Sequence, residues 1–301
     1  MLDRIDIKSF KSIREASIEL GSLNVFIGAN GSGKSNLLEA IGVLGAAAAG
    51  RVDDEALLRR GVRPGVPALY KASFRGERVR NAIRFGAFKG DGSYEVELIN
   101  PTNQPRPAWS YKTEKLWEGD YKVVGRSPAS ANFQALDQAQ GLAALEAVKL
   151  TPTSVASQLL RGLRDFAIYA PNTSTLRGLV TDPQSRVPVG LSGGRLAEAV
   201  EDLRRLARTH EGFEDIINDV LELIDWVDVV GAKPGSSVPL SPTTHASSRY
   251  CSSATASWRK AGTNSAPTMR AKARCTCYSR RSRRPTPTRR RCSPSTTSTQ
   301  R

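Results

Sequence analysis

The chain has 301 residues, 39% of them apolar, enough for a real core in one large domain or two small ones. No apolar run approaches the roughly 20 residues that cross a bilayer, and the N-terminus lacks a basic stretch followed by an apolar one. No membrane span and no leader are therefore expected, and the expected address is cytoplasmic. The formal charge of +15 suggests a nucleic-acid partner, but residues 237–301 hold 14 of the 44 Lys and Arg and no Asp or Glu, so residues 1–236 carry 30 basic against 29 acidic side chains.

In chain order, residues 2–7 and Ala16 to Leu20 alternate apolar and polar, which predicts two paired, half-buried strands. The apolar run Leu23-Asn24-Val25-Phe26-Ile27 predicts a third strand, and Asn36 to Ala49, rich in Leu and Ala, a helix. From about Ala68 to Val124 aromatic, Thr and Val residues with turn signals at Gly90-Asp91-Gly92 and around Pro101, Pro105 and Pro107 predict an antiparallel β section. Helices are expected over Leu142 to Lys149, Ser154 to Leu163, Gly194 to Ala207 and Phe213 to Leu223, with short strands at Phe166 to Tyr169 and Trp226 to Val230. After about Gly231 the texture turns to Ser, Thr, Arg, Pro and Ala without either apolar period. All four cysteines, Cys251, Cys275, Cys277 and Cys292, lie there. They form no pair of Cys-x-x-Cys ligands and His245 is the tail's one histidine, so a metal site is not expected.

The chemistry is concentrated in Gly28-Ala29-Asn30-Gly31-Ser32-Gly33-Lys34-Ser35, a Gly-x4-Gly-Lys-Ser pattern between a predicted strand and a predicted helix. Glycines are needed because backbone N–H groups wrap phosphate oxygens in conformations that a Cβ obstructs. In this reading Lys34 reaches the β and γ phosphates of ATP as the catalytic cation, Ser35 places its hydroxyl on Mg²⁺, and the helix start adds a favourable dipole. The competing interpretation, a chance glycine-rich turn, does not account for the order of strand, loop and helix. The pattern predicts nucleotide binding. Turnover also needs an acidic residue for Mg²⁺ and a group that positions water.

Ile7-Lys8-Ser9-Phe10-Lys11-Ser12-Ile13, followed by Asn24 through Asn36, resembles the start of RecF, SMC and OLD-type ATPases, in the ABC-like branch. The resemblance is specific over residues 1–45 and looser to about 230. It implies an α/β P-loop NTPase, an ABC-ATPase-like head with an N-terminal antiparallel β section and a mixed core sheet. It also implies ATP and Mg²⁺ as cofactors, DNA as a partner in repair or defence against foreign elements, and ATP-dependent homodimers in complete relatives. Lys11 and Asn36 match the family pattern and are carried as nucleotide-side residues, Lys11 being equally readable as a solvated lysine at a strand end. No heptads persist over several repeats, so no long coiled-coil insert is expected.

The family also implies a signature motif and a Walker B strand. Leu191-Ser192-Gly193-Gly194-Arg195 resembles the former but reads more simply as a helix capped by Ser192. Leu221 to Asp225, the nearby Walker B candidate, continues a helix pattern. In a shifted frame, back-translation of Thr268 to Ser279 permits Asp-Ala-Ser-Glu-Gly-Ala-Leu-Tyr-Leu-Leu-Phe, and Arg291 through Thr299 permits Leu-Phe-Ala-Val-Asp-Asn-Phe-Asp. These resemble the two missing motifs. The expected division is thus an incomplete ATPase domain over residues 1–236 and a basic, disordered or out-of-frame tail over 237–301, with weak nucleotide binding and negligible hydrolysis. Two alternatives stand beside it. One is a genuine Arg-rich disordered arm that binds nucleic acid through Arg280, Arg281, Arg283, Arg284, Arg289, Arg290 and Arg291. The other is a non-hydrolysing, nucleotide-dependent interaction switch.

Overall fold

The computed structural model describes residues 2–76, 80–129, 133–177, 179–224, 227, 229–237 and 249–254. Its first elements are the strands β1 (Arg4–Phe10) and β2 (Ile13–Glu19), paired antiparallel as expected, with Ile5 opposite Ile18 and Lys8 opposite Glu15. Helix α1 (Lys34–Ala48) follows the glycine loop, and two short helices, α2 (Asp54–Leu58) and α3 (Pro67–Tyr70), come after it. The antiparallel section is β3 (Ala82–Lys89), β4 (Gly92–Ile99), β5 (Ser110–Glu118) and β6 (Tyr121–Arg126). The six strands form one sheet in the order β2-β1-β3-β4-β5-β6, antiparallel at every pairing. The mixed core sheet that the resemblance implied is not among the described residues.

Alternation sorts the sheet into two faces. Ile5, Ile7, Ile83, Phe85, Tyr94, Val96, Leu98 and Leu116 are buried on one side. Against them pack α1 and α5 (Val155–Asp165), which follows the short α4 (Leu142–Glu146). In α5 the buried residues are Ala156, Leu159, Leu160 and Leu163, a helical stripe, and the Ser154 hydroxyl caps the Ser157 N–H at 3.1 Å. Glu114 reaches the same core and anchors α4. Its carboxylate accepts from the Leu142 and Ala143 N–H groups at 2.7 and 3.0 Å and from the Tyr94 hydroxyl at 3.1 Å. Burial nevertheless pushes its pKa up. The other face of the sheet, carrying Lys8, Arg84, Glu95 and Lys115, is turned to solvent.

The chain then forms α6 (Thr173–Leu176), α7 (Leu196–Ala207), α8 (Phe213–Glu222) and a hairpin of β7 (Val229–Pro234) with β8 (Arg249–Ala254). Three expectations need correction. Residues 166–169 form no strand; single backbone bonds tie Ile168 to Arg60 and Ala170 to Leu191 instead. Helix α7 starts at Leu196 with no side-chain cap, so Ser192 does not cap it. β8 lies where no regular structure was expected; hairpin pairing is made by backbone groups and needs no apolar period. The other tail readings, including Cys275, Cys277, Cys292, the arginine arm and the out-of-frame motifs, lie outside the described residues. No helix among the described residues is long and apolar enough to cross a membrane.

The fourth correction concerns the site. Leu23 to Ile27 is not a strand. Leu23, Val25 and Ile27 are 83%, 71% and 90% exposed. A mainly apolar run such as this, broken only by Asn24, suits a strand covered on both faces and paired at both edges. The described residues provide neither neighbour, so the run stays extended without a ladder.

Candidate functional site

The glycine loop closes through a bond from the Ser32 N–H to the Ala29 carbonyl at 3.2 Å, with Gly31 and Gly33 at φ 83° and 96°. Both conformations are left-handed and favour glycine. At Gly33 an added Cβ would also press on the Ser12 hydroxyl at 3.1 Å. Lys34 opens α1 and folds back over the loop. Its ammonium donates to the Gly28 carbonyl at 2.7 Å, the Ala29 carbonyl at 2.8 Å and the Ser32 hydroxyl at 3.4 Å. The first turn of α1 has no side-chain cap and no acidic residue, so its donors and its positive dipole end are left to a ligand. Gly28, Ala29, Asn30, Gly31, Ser32 and Ser35 are exposed, and Lys34 and Asn36 are partly covered. An uncapped helix start beside an exposed loop of this kind is chemically suited to receive an anion.

The two outlying candidates are placed beside the loop. The Asn36 amide donates to the Ser12 hydroxyl at 2.8 Å, tying the β1–β2 turn to α1. Lys11, at φ 48°, directs its ammonium to the Glu39 carboxylate on α1, and the charge lies 4.9 Å from the Tyr70 ring centroid. Arg63 closes the other carboxylate oxygen at 2.5 Å. Thus Lys11 is paired with an acid rather than set into the loop. Glu39, Arg63 and Ser12 were not singled out from the sequence; the available signal was a lone acid inside an otherwise apolar and small-residue helix.

Burial pushes the Glu39 carboxyl up, but the hydrogen bonds and charges of Arg63 and Lys11 outweigh it and hold the group below its ordinary 4.5. A carboxylate held below its unfolded value stabilises the fold above that value and loses the contribution as pH falls through the depressed one. Thermal melts from pH 7 to pH 3 are expected to show stability falling below about pH 4.5, and Glu39→Gln is expected to flatten that acid limb. At pH 7 the same substitution should cost about 2–3 kcal/mol because the covered Lys11 charge loses its partner. An acid limb unchanged by the substitution would remove Glu39 as its cause.

The Leu191 to Arg195 loop is organised differently. The Asp182 carboxylate accepts from the Ser192 and Gly194 N–H groups at 3.1 and 3.0 Å, so this segment is held by a residue of its own loop. The Walker B candidate from Leu221 is helical to Glu222, the end of α8, and Asp225 lies outside the described residues.

The family described as AAA ATPase domain matches residues 1–56, the hairpin, loop and α1 together. The DNA replication and repair protein RecF of Magnetococcus marinus is 47% identical over 64 residues, 21% of this chain and 17% of that protein. RecF of Halothermothrix orenii is 42% identical over 71 residues, 23% and 19% of the two chains. Over this N-terminal segment the chain is similar to an AAA ATPase domain and to the start of RecF. The likeness spans under a fifth of the length of these two RecF proteins. An SMC ATPase chain from work on ATP-driven dimerization and DNA-stimulated activation aligns with 54% of this chain and 98% of its own, at 16% identity and TM-score 0.28. That likeness is too distant to bear on the fold.

Proposed function

We propose that the chain is the nucleotide-binding front of a cytoplasmic RecF/SMC/OLD-type ATPase head that serves DNA repair or defence against foreign elements. The observation that carries this reading is the Lys34 ammonium held by the Gly28 and Ala29 carbonyls at the mouth of an uncapped helix. The residues fit ATP with Mg²⁺. Backbone N–H groups of Gly28 to Lys34 would surround the β and γ phosphates, Lys34 would neutralise them, and the exposed Ser35 hydroxyl would hold the cation. Mg²⁺, when bound, supplies further neutralisation of phosphate charge. In this reading Lys11 and Asn36 act as positioning residues, supported by the Lys11 pair with Glu39 and the Asn36 bond to Ser12 in the hairpin turn.

The exposed run from Leu23 to Ile27 supports the reading that residues after about 231–243 are translated out of frame. Their in-frame equivalents would supply the strands that cover it, the acid of Walker B, and the signature that a second head presents to ATP in a dimer. A stop codon early in the alternative frame of the gene would dismiss this. Calorimetric titration of the full chain with Mg²⁺ and ATP is expected to show weak, saturable binding without phosphate release. No saturable binding would sink the nucleotide reading, and steady turnover would sink the claim of inactivity.

A further inference from the structure

Leu23 to Ile27 leaves its backbone unpaired as well as its side chains uncovered. Among the described residues, no backbone N–H or carbonyl from Leu23 to Ile27 enters a hydrogen bond. The nearest bonds join Gly21 to the Asn24 side chain, at 2.9 and 3.0 Å. From Leu20 to Gly33 there is no charged residue and no proline. A segment with strand-forming side chains, free backbone groups and no charge is a template for pairing with another chain.

Other exposed features are guarded against such pairing. The outermost strands of the six-stranded sheet are β2 and β6. The first carries Arg14, Glu15 and Glu19 and the second Lys122, charges that discourage contact between edges. Ile216, Val220 and Leu223 form an exposed apolar ridge on and just after α8. Asp215, Asp219 and Glu222 flank it at helical spacing, so two copies meeting there would set like charges against each other. Leu23 to Ile27 meets no such obstacle in a copy of itself. Paired antiparallel about Val25, two copies place Val25 opposite Val25 and Leu23 opposite Ile27, and these side chains share one face of the ribbon. A strand has two edges, so a pair still presents unpaired backbone and growth is open-ended.

We propose that Leu23 to Ile27 is a self-association surface, through which copies of this chain pair as strands without nucleotide. The contact is independent of the ATP reading. The overall charge of +15 resists assembly, so the measurements belong at about 0.15 M salt, where that charge is screened beyond about 8 Å.

Sedimentation velocity of the full chain without nucleotide, over a series reaching about 100 μM, is expected to show an average mass that rises past the dimer without a plateau. Val25→Lys and Val25→Glu each set like charges opposite one another and should each raise the onset concentration at least about fivefold. An equimolar mixture of the two should associate as the parent does, a rescue that damage to the fold does not produce. Leu223→Lys, the same change at an apolar residue that is 81% exposed elsewhere, should leave the onset in place. A parent that stays monomeric, a Val25→Lys onset equal to the parent's, or a mixture no better than either variant would overturn the proposal. Binding to neutral phosphatidylcholine vesicles in place of self-association would assign the run to a lipid surface and overturn it too. Lys34→Ala should weaken ATP binding yet associate as before, whereas association seen only with Mg²⁺ and ATP would count against the strand contact. A parent that associates but does not bind ATP would support this contact and sink the nucleotide reading alone.

Discussion

Replacing Lys34 with Ala is expected to weaken ATP binding by about 10- to 100-fold while leaving the fold intact. The ammonium sits over the loop on the Gly28 and Ala29 carbonyls, 2.7 and 2.8 Å away, where phosphate oxygens can share it without rebuilding the loop. Hydrogen bonds to charged groups contribute about 1.5–3 kcal/mol, and each 1.4 kcal/mol is tenfold in affinity. The fold should tolerate the change, since Lys34 occupies the first helical position and contributes no core surface. Lys34→Arg sharpens the test. A planar guanidinium keeps the charge but cannot place one compact donor group between the two carbonyls, so it should rescue little. Calorimetry of the three proteins, with melting curves as the control, reads this out. Alanine binding within twofold of the parent would mean that the loop does not hold the phosphates.

Much of the N-terminal architecture was legible because its signals are local. Alternation in residues 4–19 encodes a hairpin whose buried face is Ile5 and Ile7. The Gly-x4-Gly-Lys-Ser spacing encodes a turn into a helix, and α1 begins at Lys34. What was not legible depends on partners far away in sequence. Leu23 to Ile27 has strand composition, but a strand exists only with a neighbour, and none of the described strands pairs with it. Lys11 reads as a family nucleotide residue, yet its ion pair with Glu39 arises from α1 crossing under the hairpin turn, 28 residues on. Asp182, which satisfies the N–H groups of Ser192 and Gly194, displaces the expected serine cap for the same reason: the competing acceptor lies ten residues upstream.

Gly45→Ala should be among the most damaging single-methyl additions in the molecule, although alanine is the better helix former by about 1 kcal/mol. Gly45 lies in the last turn of α1, where the helix meets α5. A Cβ there would fall well inside contact distance of the Leu163 carbonyl oxygen and 3.2 Å from the Arg60 guanidinium. A carbonyl near the end of α5 cannot rotate away as a side chain would. The two helices must separate, and with them the bond from Arg164 Nε to the Ala48 carbonyl, 2.9 Å. Overpacking of this kind costs about 1–3 kcal/mol and sometimes more, and a lengthened helix–helix contact loses dispersion along the rest of the interface. Steric cost therefore exceeds the gain in propensity. A net loss of about 2 kcal/mol corresponds to a melting temperature lower by about 4–8 °C in a chain of this size. Because α1 also carries Lys34 and Ser35 at its other end, its displacement should weaken ATP binding without touching a ligand group. Gly162→Ala is the matched control, since it adds a methyl to α5 at a position with no neighbouring atom within 4 Å. A Gly45→Ala protein as stable as that control would mean that α1 and α5 do not cross as closely as their small residues imply.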